Sequence, residues 1–182
     1  EEYGHYAATS NAVYAASRIR ADNLGKLKIK LYKETRKGEV EVERGRPGSL
    51  YELCHRVNPF WTTRRLIRMI EWARCLWGVG YITLERGASG KRTPTEMWWA
   101  RPDRMRVHPH PTEYIAGYTY EANGTRIEFT PGEVIWLPLD NPIDEFSGLS
   151  PLAAARLSIE TANAATRASR RAFSNGMSAA GL

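Results

Sequence analysis

Three segments of the chain carry apolar residues at the three- and four-residue spacing of an amphipathic helix. The first extends from about Ala7 to Asp22, with Gly25 as its stop signal. The second, around Leu50 to Arg56, ends before Asn58, because a residue that precedes proline resists the helical conformation. The apolar face predicted for the first helix consists of Ala12, Val13, Ala16 and Ile19.

The third helical segment has the clearest division between an apolar and a charged side. Thr62 or Thr63 can cap its start, and it extends to about Trp77. The apolar face consists of Leu66, Met69, Ile70, Ala73, Leu76 and Trp77. The opposite face consists of Arg64, Arg65, Arg68, Glu71 and Arg74. A single apolar face predicts that the helix packs on a sheet from one side.

Alternating and turn-bounded segments predict strands between and after these helices. Leu27 to Leu31 alternates apolar and basic residues, which predicts a half-buried strand followed by a hairpin turn at Arg36–Glu39. Asn123-Gly124 is a strong turn signal, because both residues accept positive φ. Further strands are predicted at Tyr81–Arg86, Glu96–Trp99, Arg104–His108, Ile115–Tyr120, Arg126–Phe129 and Glu133–Leu137. The predicted fold is α+β, with a mixed or antiparallel sheet and packed helices.

A long alanine-rich helix follows the polar loop from Asp140 to Gly148. Ser150-Pro151 supplies a cap and a first turn, and Asn175-Gly176 supplies a stop. A helix from there to about Ser174 would span about 36 Å. Its polar residues fall on one stripe, formed by Arg156, Glu160, Asn163, Arg167, Arg170 and Arg171.

The rest of this helix is small or apolar, so it needs neighbours on more than one side. It could be buried within its own domain or against further residues of the chain. Alternatively, neighbouring subunits supply the contacts, with small side chains permitting close approach. The residues predicted for such subunit packing are Ala155, Ile159, Ala162 and Ala165.

The charge of the chain favours an anionic partner without specifying one. The formal net charge is +6 and the sequence pI about 9.5, but many small basic proteins bind no nucleic acid. The basic run from Lys26 to Lys37 is most simply a solvated face, and contact with phosphate is the alternative. Cys54 and Cys75 form no disulfide framework, and Cys75 is predicted to be a buried thiol, as in a reducing cytosol.

Neither a signal peptide nor an apolar run of membrane-spanning length is visible. The chain starts without Met and ends in small and apolar residues, which leads us to expect a piece of a longer polypeptide.

Three motifs could in principle carry chemistry, and each departs from the pattern that the chemistry needs. Gly87–Thr93 resembles a phosphate loop, but the first glycine is misplaced and Arg92 stands where a hydroxyl residue is required. His108 and His110 have a chelating spacing without further ligand motifs. Asp140, Asp144 and Glu145 lie before a helix start, where acidic residues are stabilising without catalysis. No catalytic residue, cofactor or metal site is therefore predicted.

One longer stretch is similar to a known family. The hydrophobic strand Val134–Leu137, the acidic loop with Asp144-Glu145, Gly148-Leu149-Ser150-Pro151-Leu152 and the alanine-rich helix ending at Phe173-Ser174-Asn175-Gly176 resemble the lambdoid-type portal proteins of tailed phages. The N-terminal Ala-rich helix, Leu27–Tyr32, Leu50–Pro59 and Trp99–Val107 are also similar, so the resemblance covers nearly the whole chain.

The resemblance implies that residues 1–149 are a wing-like α+β domain, 150–176 a stem-like helix and 177–182 the start of a clip-like region. It also implies a ring, commonly of twelve subunits, that conducts double-stranded DNA without sequence preference at one capsid vertex. Terminase, capsid and head–tail connector proteins would be partners, and assembly would take place in the host cytoplasm. In such a ring, the arginines that could face DNA are Arg156, Arg167, Arg170 and Arg171.

Two other classes of function stay open on the sequence alone. One is a basic nucleic-acid-binding module, whose affinity would fall steeply with salt. The other is a metal-dependent hydrolase that uses the acidic loop or the two histidines.

Overall fold

The fold is an α+β arrangement of small antiparallel sheets and packed helices, as predicted. The computed structural model describes residues 7–8, 10–45, 49–87 and 93–174. The helices are α1 (Asn11–Leu24), α2 (Leu50–His55), α3 (Thr63–Trp77) and α4 (Pro151–Ser174). The strands are β1 (Tyr32–Thr35), β2 (Gly38–Glu41), β3 (Val79–Glu85), β4 (Glu96–Ala100), β5 (Met105–His110), β6 (Tyr114–Ala122), β7 (Thr125–Phe129) and β8 (Val134–Pro138).

Two three-stranded sheets hold the main core between them. Their strand orders are β4-β3-β8 and β5-β6-β7, and every pairing is antiparallel. Between β6 and β7, Asn123 and Gly124 have φ values of 52° and 78°, so the predicted turn is confirmed. The buried core residues come from both sheets: Val79, Tyr81, Ala100, Met105, Ile115, Tyr118 and Val134.

Helix α3 is the central element, and it is covered on two sides. Thr62 caps its start by accepting a hydrogen bond from the Arg65 amide, as predicted. One side packs on the sheet, where Leu66 and Ile70 join a cluster with Val57. The other side packs against α1, so the prediction of one-sided packing is wrong.

The side of α3 that faces α1 includes a buried charged residue, Glu71. Its carboxylate is only 5% exposed and lies 2.7 Å from the Arg20 guanidinium of α1 and 3.3 Å from that of Arg74. The Cys75 thiol donates to the same carboxylate at 3.8 Å. A buried carboxylate is tolerated when cations and donors compensate its lost hydration. The network therefore joins α1 to α3 through a polar contact.

Helix α1 is rotated relative to the sequence prediction. Its buried residues are Val13, Ser17 and Ala21, whereas Ala12 and Ala16 are exposed and Ile19 is 62% exposed. The small residues Ser17 and Ala21 allow close approach to α3, and two ion pairs near the C-terminal end of α1, Arg20 with Glu71 and Asp22 with Arg68, hold this side toward α3. The prediction of Ala12, Ala16 and Ile19 as buried residues is wrong, because the ion pairs outweigh a weak apolar pattern.

The predicted strand at Leu27–Leu31 is also wrong. The segment has no regular secondary structure, and Leu27 is 63% and Ile29 43% exposed. Only at its end does the Val42 amide donate to the Leu31 carbonyl, which leads into the β1–β2 hairpin. The predicted turn before Gly38 is confirmed, but every residue of both hairpin strands is exposed. An alternating pattern needs a partner strand and a covering layer, and the described chain supplies neither.

We predict that Glu71→Ala weakens the α1–α3 contact. The substitution leaves the Arg20 and Arg74 side chains without their carboxylate, and a lost hydrogen bond to a charged group costs about 1.5–3 kcal/mol. Chemical denaturation of the wild type and variant should show this loss in the free energy of unfolding. Glu128→Ala, on an exposed strand, is the matched control with an expected change within about 0.5 kcal/mol. Equal losses in both variants would contradict a structural role for the network.

Candidate subunit interface and nucleic-acid surface

The start of α4 is fixed to the end of α3 by one serine. The Ser150 hydroxyl donates to the Cys75 carbonyl at 2.9 Å and accepts from the Leu152 amide at 3.0 Å. It thus caps the new helix and satisfies a carbonyl in the last turn of the old one. Leu152 is buried beside Val13 and Leu76. The predicted cap at Ser150 and first helical residue at Pro151 are confirmed.

Two glycines bring the backbones together at the same junction. Gly78 ends α3 in the left-handed conformation with φ of 78°, and its carbonyl accepts from the Leu139 amide at 2.7 Å. A Cβ added to Gly148 would lie 1.8 Å from the Gly78 carbonyl oxygen. No side chain fits between these backbones, so the approach of the loop to α3 requires glycine at residue 148.

Only the first half of α4 contacts the body. Leu152 is buried, Ala155, Ile159 and Asn163 are half-buried, and every residue from 164 to 174 is exposed. At 1.5 Å per residue the exposed end extends about 16 Å. The helix is present as far as Ser174, the last described residue, and the predicted stop at Asn175-Gly176 and the clip-like residues 177–182 lie outside the described residues.

The apolar side of α4 is uncovered over most of its length. Leu157 is 76% and Phe173 74% exposed. Of the residues predicted for subunit packing, Ile159 packs partly against the cluster of Val13, Leu76 and Leu152 in its own chain. Ala155 is half-buried, while Ala162 and Ala165 are exposed and available to a neighbour.

The four arginines of the polar stripe fall into two environments. Arg156 forms an ion pair with Glu160 at 2.8 Å, one turn along the helix. Arg167, Arg170 and Arg171 are exposed on the projecting half and have no carboxylate partner among the described residues. Arg170 lies about five full turns beyond Leu152, so it is on the same side of the helix as Leu152, the side that faces the body. The free positive charge of α4 is thus concentrated beyond the body.

The two candidate histidines and Asp144 are engaged in local hydrogen bonds. His108 Nε2 lies 2.6 Å from the Thr119 hydroxyl, whereas His110 Nδ1 accepts from the Thr112 and Glu113 amides. Asp144 accepts from the Ser147 hydroxyl and the Phe146 amide, and these bonds lower the pKa of its carboxyl group.

No group of three metal-ligating side chains occurs in the part of the chain that is described. The phosphate-loop resemblance falls mainly on residues 88–92, outside the described residues. Cys75 is buried, as predicted, and burial raises the pKa of its thiol. Among the described helices, none has the length and apolar character that crossing a membrane requires.

A surface at the N-terminal end of α3 was not predicted. The Arg65 guanidinium lies 4.4 Å from the centre of the Trp61 ring, and Phe60, which is 75% exposed, packs beside Trp98. We call this surface the arginine–aromatic patch, formed by Arg56, Phe60, Trp61, Arg64, Arg65 and Trp98. The close succession of aromatic and arginine residues from Phe60 to Arg65 was the available signal. Trp98 joins them only through the fold.

Comparisons with known proteins identify related chains. A family model described as "Phage portal protein" matches residues 11–182. The fold is similar to the neck of an empty GTA particle computed with C6 symmetry, with 22% identity and a TM-score of 0.79 over 97% of this chain and 47% of that chain. The native neck computed with C12 symmetry also has 22% identity and a TM-score of 0.75, covering 91% of this chain and 42% of that one.

A crystal structure of an HK97 family phage portal protein from Corynebacterium diphtheriae has 17% identity and a TM-score of 0.58, covering 94% of this chain and 50% of that chain. The chain therefore spans about half the length of these solved structures, or slightly less. No curated protein matches the sequence.

We predict that Gly148→Ala disturbs the junction between α3 and α4. The added methyl group would overlap the Gly78 carbonyl and force the loop to move, at a cost of about 1–3 kcal/mol. Thermal and chemical unfolding should both report the loss. Gly132→Ala is the control, because a Cβ there meets nothing within 4 Å. Unchanged stability of Gly148→Ala would show that the close approach is unnecessary.

Proposed function

The chain belongs to the phage portal protein family, and on that premise we propose that it is part of a ring-forming portal subunit in a phage-like particle. The ring conducts double-stranded DNA through one capsid vertex during packaging and ejection and connects head to tail. Residues 1–149 form its wing, 150–176 its first stem helix and 177–182 the entry to the clip. The role is mechanical, and the chemistry of DNA cutting and ATP hydrolysis belongs to partner proteins such as the terminase.

The observation that carries this proposal is a long helix held firmly at its base and uncovered beyond it. The Ser150 and Gly148 contacts set the direction of α4, while Leu157, Ala162 and Ala165 remain exposed. A helix that exposes this much small and apolar surface is suited to packing against the same helix of neighbouring copies. Side-by-side stem helices in a closed ring would cover it.

Twelve copies fit the symmetries of the similar structures. One related neck was computed with C12 symmetry and another with C6, and a twelve-membered ring satisfies both. A related chain also belongs to the virion of a native gene transfer agent particle. These likenesses support a position in the neck of a particle. The proposal further includes assembly in the host cytoplasm and contacts to terminase, capsid and connector proteins.

Contact with DNA in this proposal is electrostatic and independent of sequence. A conduit must let DNA move, so base-reading contacts would hinder it. Arg167, Arg170 and Arg171, repeated around a ring, would form a band of positive charge with Arg156 moderated by Glu160. Long-range attraction of phosphates by such a band fades as salt increases.

We predict that bulky residues on the small-residue side of α4 disrupt the ring. Ala162→Leu and Ala165→Phe in the full-length protein should overpack a close helix contact, at a cost of about 1–3 kcal/mol per site. Native mass spectrometry should then show a shift from rings toward monomers, with circular dichroism unchanged. Arg126→Leu on the wing sheet is a control for added apolar surface. Rings that persist in both α4 variants would count against subunit packing through this side.

A second prediction separates the possible roles of the distal arginines. Replacing Arg167, Arg170 and Arg171 with Gln removes three charges but keeps side-chain length. If these arginines face the channel, rings form normally while DNA packaging or retention changes. If they bridge subunits, rings are lost. Normal rings that also package normally would place them on an outer solvated face and remove the DNA role.

A further inference from the structure

Two exposed surfaces of opposite character lie at opposite ends of α3. The arginine–aromatic patch surrounds the start of the helix, and the loop of residues 139–149, here called the acidic loop, is held against its end by Gly78. Helix α3 has 15 residues and is therefore about 22 Å long. One copy of the chain cannot bring these two surfaces together.

The patch carries three arginines around the exposed Phe60 ring and one carboxylate, Glu96, which accepts a hydrogen bond from the Trp98 indole at 2.9 Å. Arg64 and Arg65 are exposed, and neither has a carboxylate partner among the described residues. Arg56 is used locally, donating to the Pro59 carbonyl at 2.9 Å. Phe60 adds apolar surface next to these cations. Aromatic residues and arginine are the types that most often carry binding energy at protein interfaces.

The acidic loop supplies the complementary groups. Asp140 and Glu145 are exposed and have no cationic partner in the described part of the chain. Between them, Ile143 is 87% exposed, the largest exposure among the exposed large apolar side chains. The sequence contains no Lys, Arg or His from residue 127 to 155, so nothing nearby in the chain offsets these carboxylates. An exposed isoleucine between two carboxylates is complementary to a surface that carries the exposed Phe60 ring and the exposed guanidinium groups of Arg64 and Arg65.

We infer that the acidic loop of one copy binds the arginine–aromatic patch of the next copy in the ring. The occupant is a second copy because the two complementary surfaces are on the same chain at a fixed separation. Contact between different surfaces of identical subunits is head-to-tail, the kind that closes into a ring when the rotation allows. The inference rests on the proposed function and adds a specific contact within the wing, apart from the contacts of α4.

Charge reversal in the full-length protein tests this contact. One variant carries Arg64→Glu with Arg65→Glu, and the other carries Asp140→Lys with Glu145→Lys. Each variant alone places like charges together at every interface, so the concentration needed for half-maximal assembly should increase at least about tenfold. Lys28→Glu with Lys33→Glu, which makes the same change in net charge as the first variant on another exposed segment, should assemble like the wild type.

Mixing the two variants in equal amounts gives the sharpest result. When the two variants alternate around the ring, every interface brings a loop and a patch of opposite charge together. Rings should therefore form from the mixture, although neither variant assembles alone. An even number of subunits, such as twelve, permits complete alternation. Native mass spectrometry of isotope-labelled variants would measure the composition of these rings.

The inference and the proposed function can fail separately. Wild-type rings together with normal assembly of both variants would overturn the loop–patch contact and leave the portal proposal standing. If both variants lose assembly and mixing does not restore it, the loop–patch contact is also overturned. Unchanged thermal unfolding of each variant excludes misfolding as the cause of lost assembly. Intact variant rings that lose only a head or tail partner would assign the patch to that partner. A wild type that forms no ring would contradict both proposals.

Discussion

The close approach of two backbones at the end of α3 determines the direction of the projecting helix α4. Gly78 and Gly148 leave no room for a side chain between them, and Ser150 connects the last turn of α3 to the first turn of α4. Since α3 is itself packed between the sheet and α1, the base of α4 is connected to the folded body through Ser150 and the buried Leu152. A projecting helix can maintain a defined angle only if its base is held in this way.

The distribution of charge follows from the same arrangement. Where α3 meets α1, the buried Glu71 is compensated by Arg20 and Arg74, so charge there serves stability. Beyond the body, Arg167 and its neighbours are exposed without carboxylate partners in the described chain. The unpaired arginines at the distal end of α4 are therefore available to another molecule, whereas Arg156 near its base is paired with Glu160. In the proposed function, those distal arginines meet neighbouring subunits or DNA.

Much of the fold could be predicted because its signals are local. The Thr62 and Ser150 caps, the Asn123-Gly124 turn and the strong amphipathic pattern of α3 depend on residues close in sequence. The rotation of α1 could not be predicted, since it depends on ion pairs such as Arg20 with Glu71, which are 51 residues apart by their numbers in the sequence. The unpaired Leu27–Leu31 segment failed for a related reason, because a β pattern does not say whether a partner strand exists.

The candidate site was predictable in part. The long helix, its arginines and its small residues were recognised from periodicity, but that pattern could not show which side the body covers. The arginine–aromatic patch depends on Trp98, which strand pairing brings close to Phe60.

The portal proposal itself is tested most directly by electron microscopy of the full-length protein. The account predicts closed rings with a central channel and α4 beside its copies in neighbouring subunits; isolated monomers at micromolar concentration would contradict it.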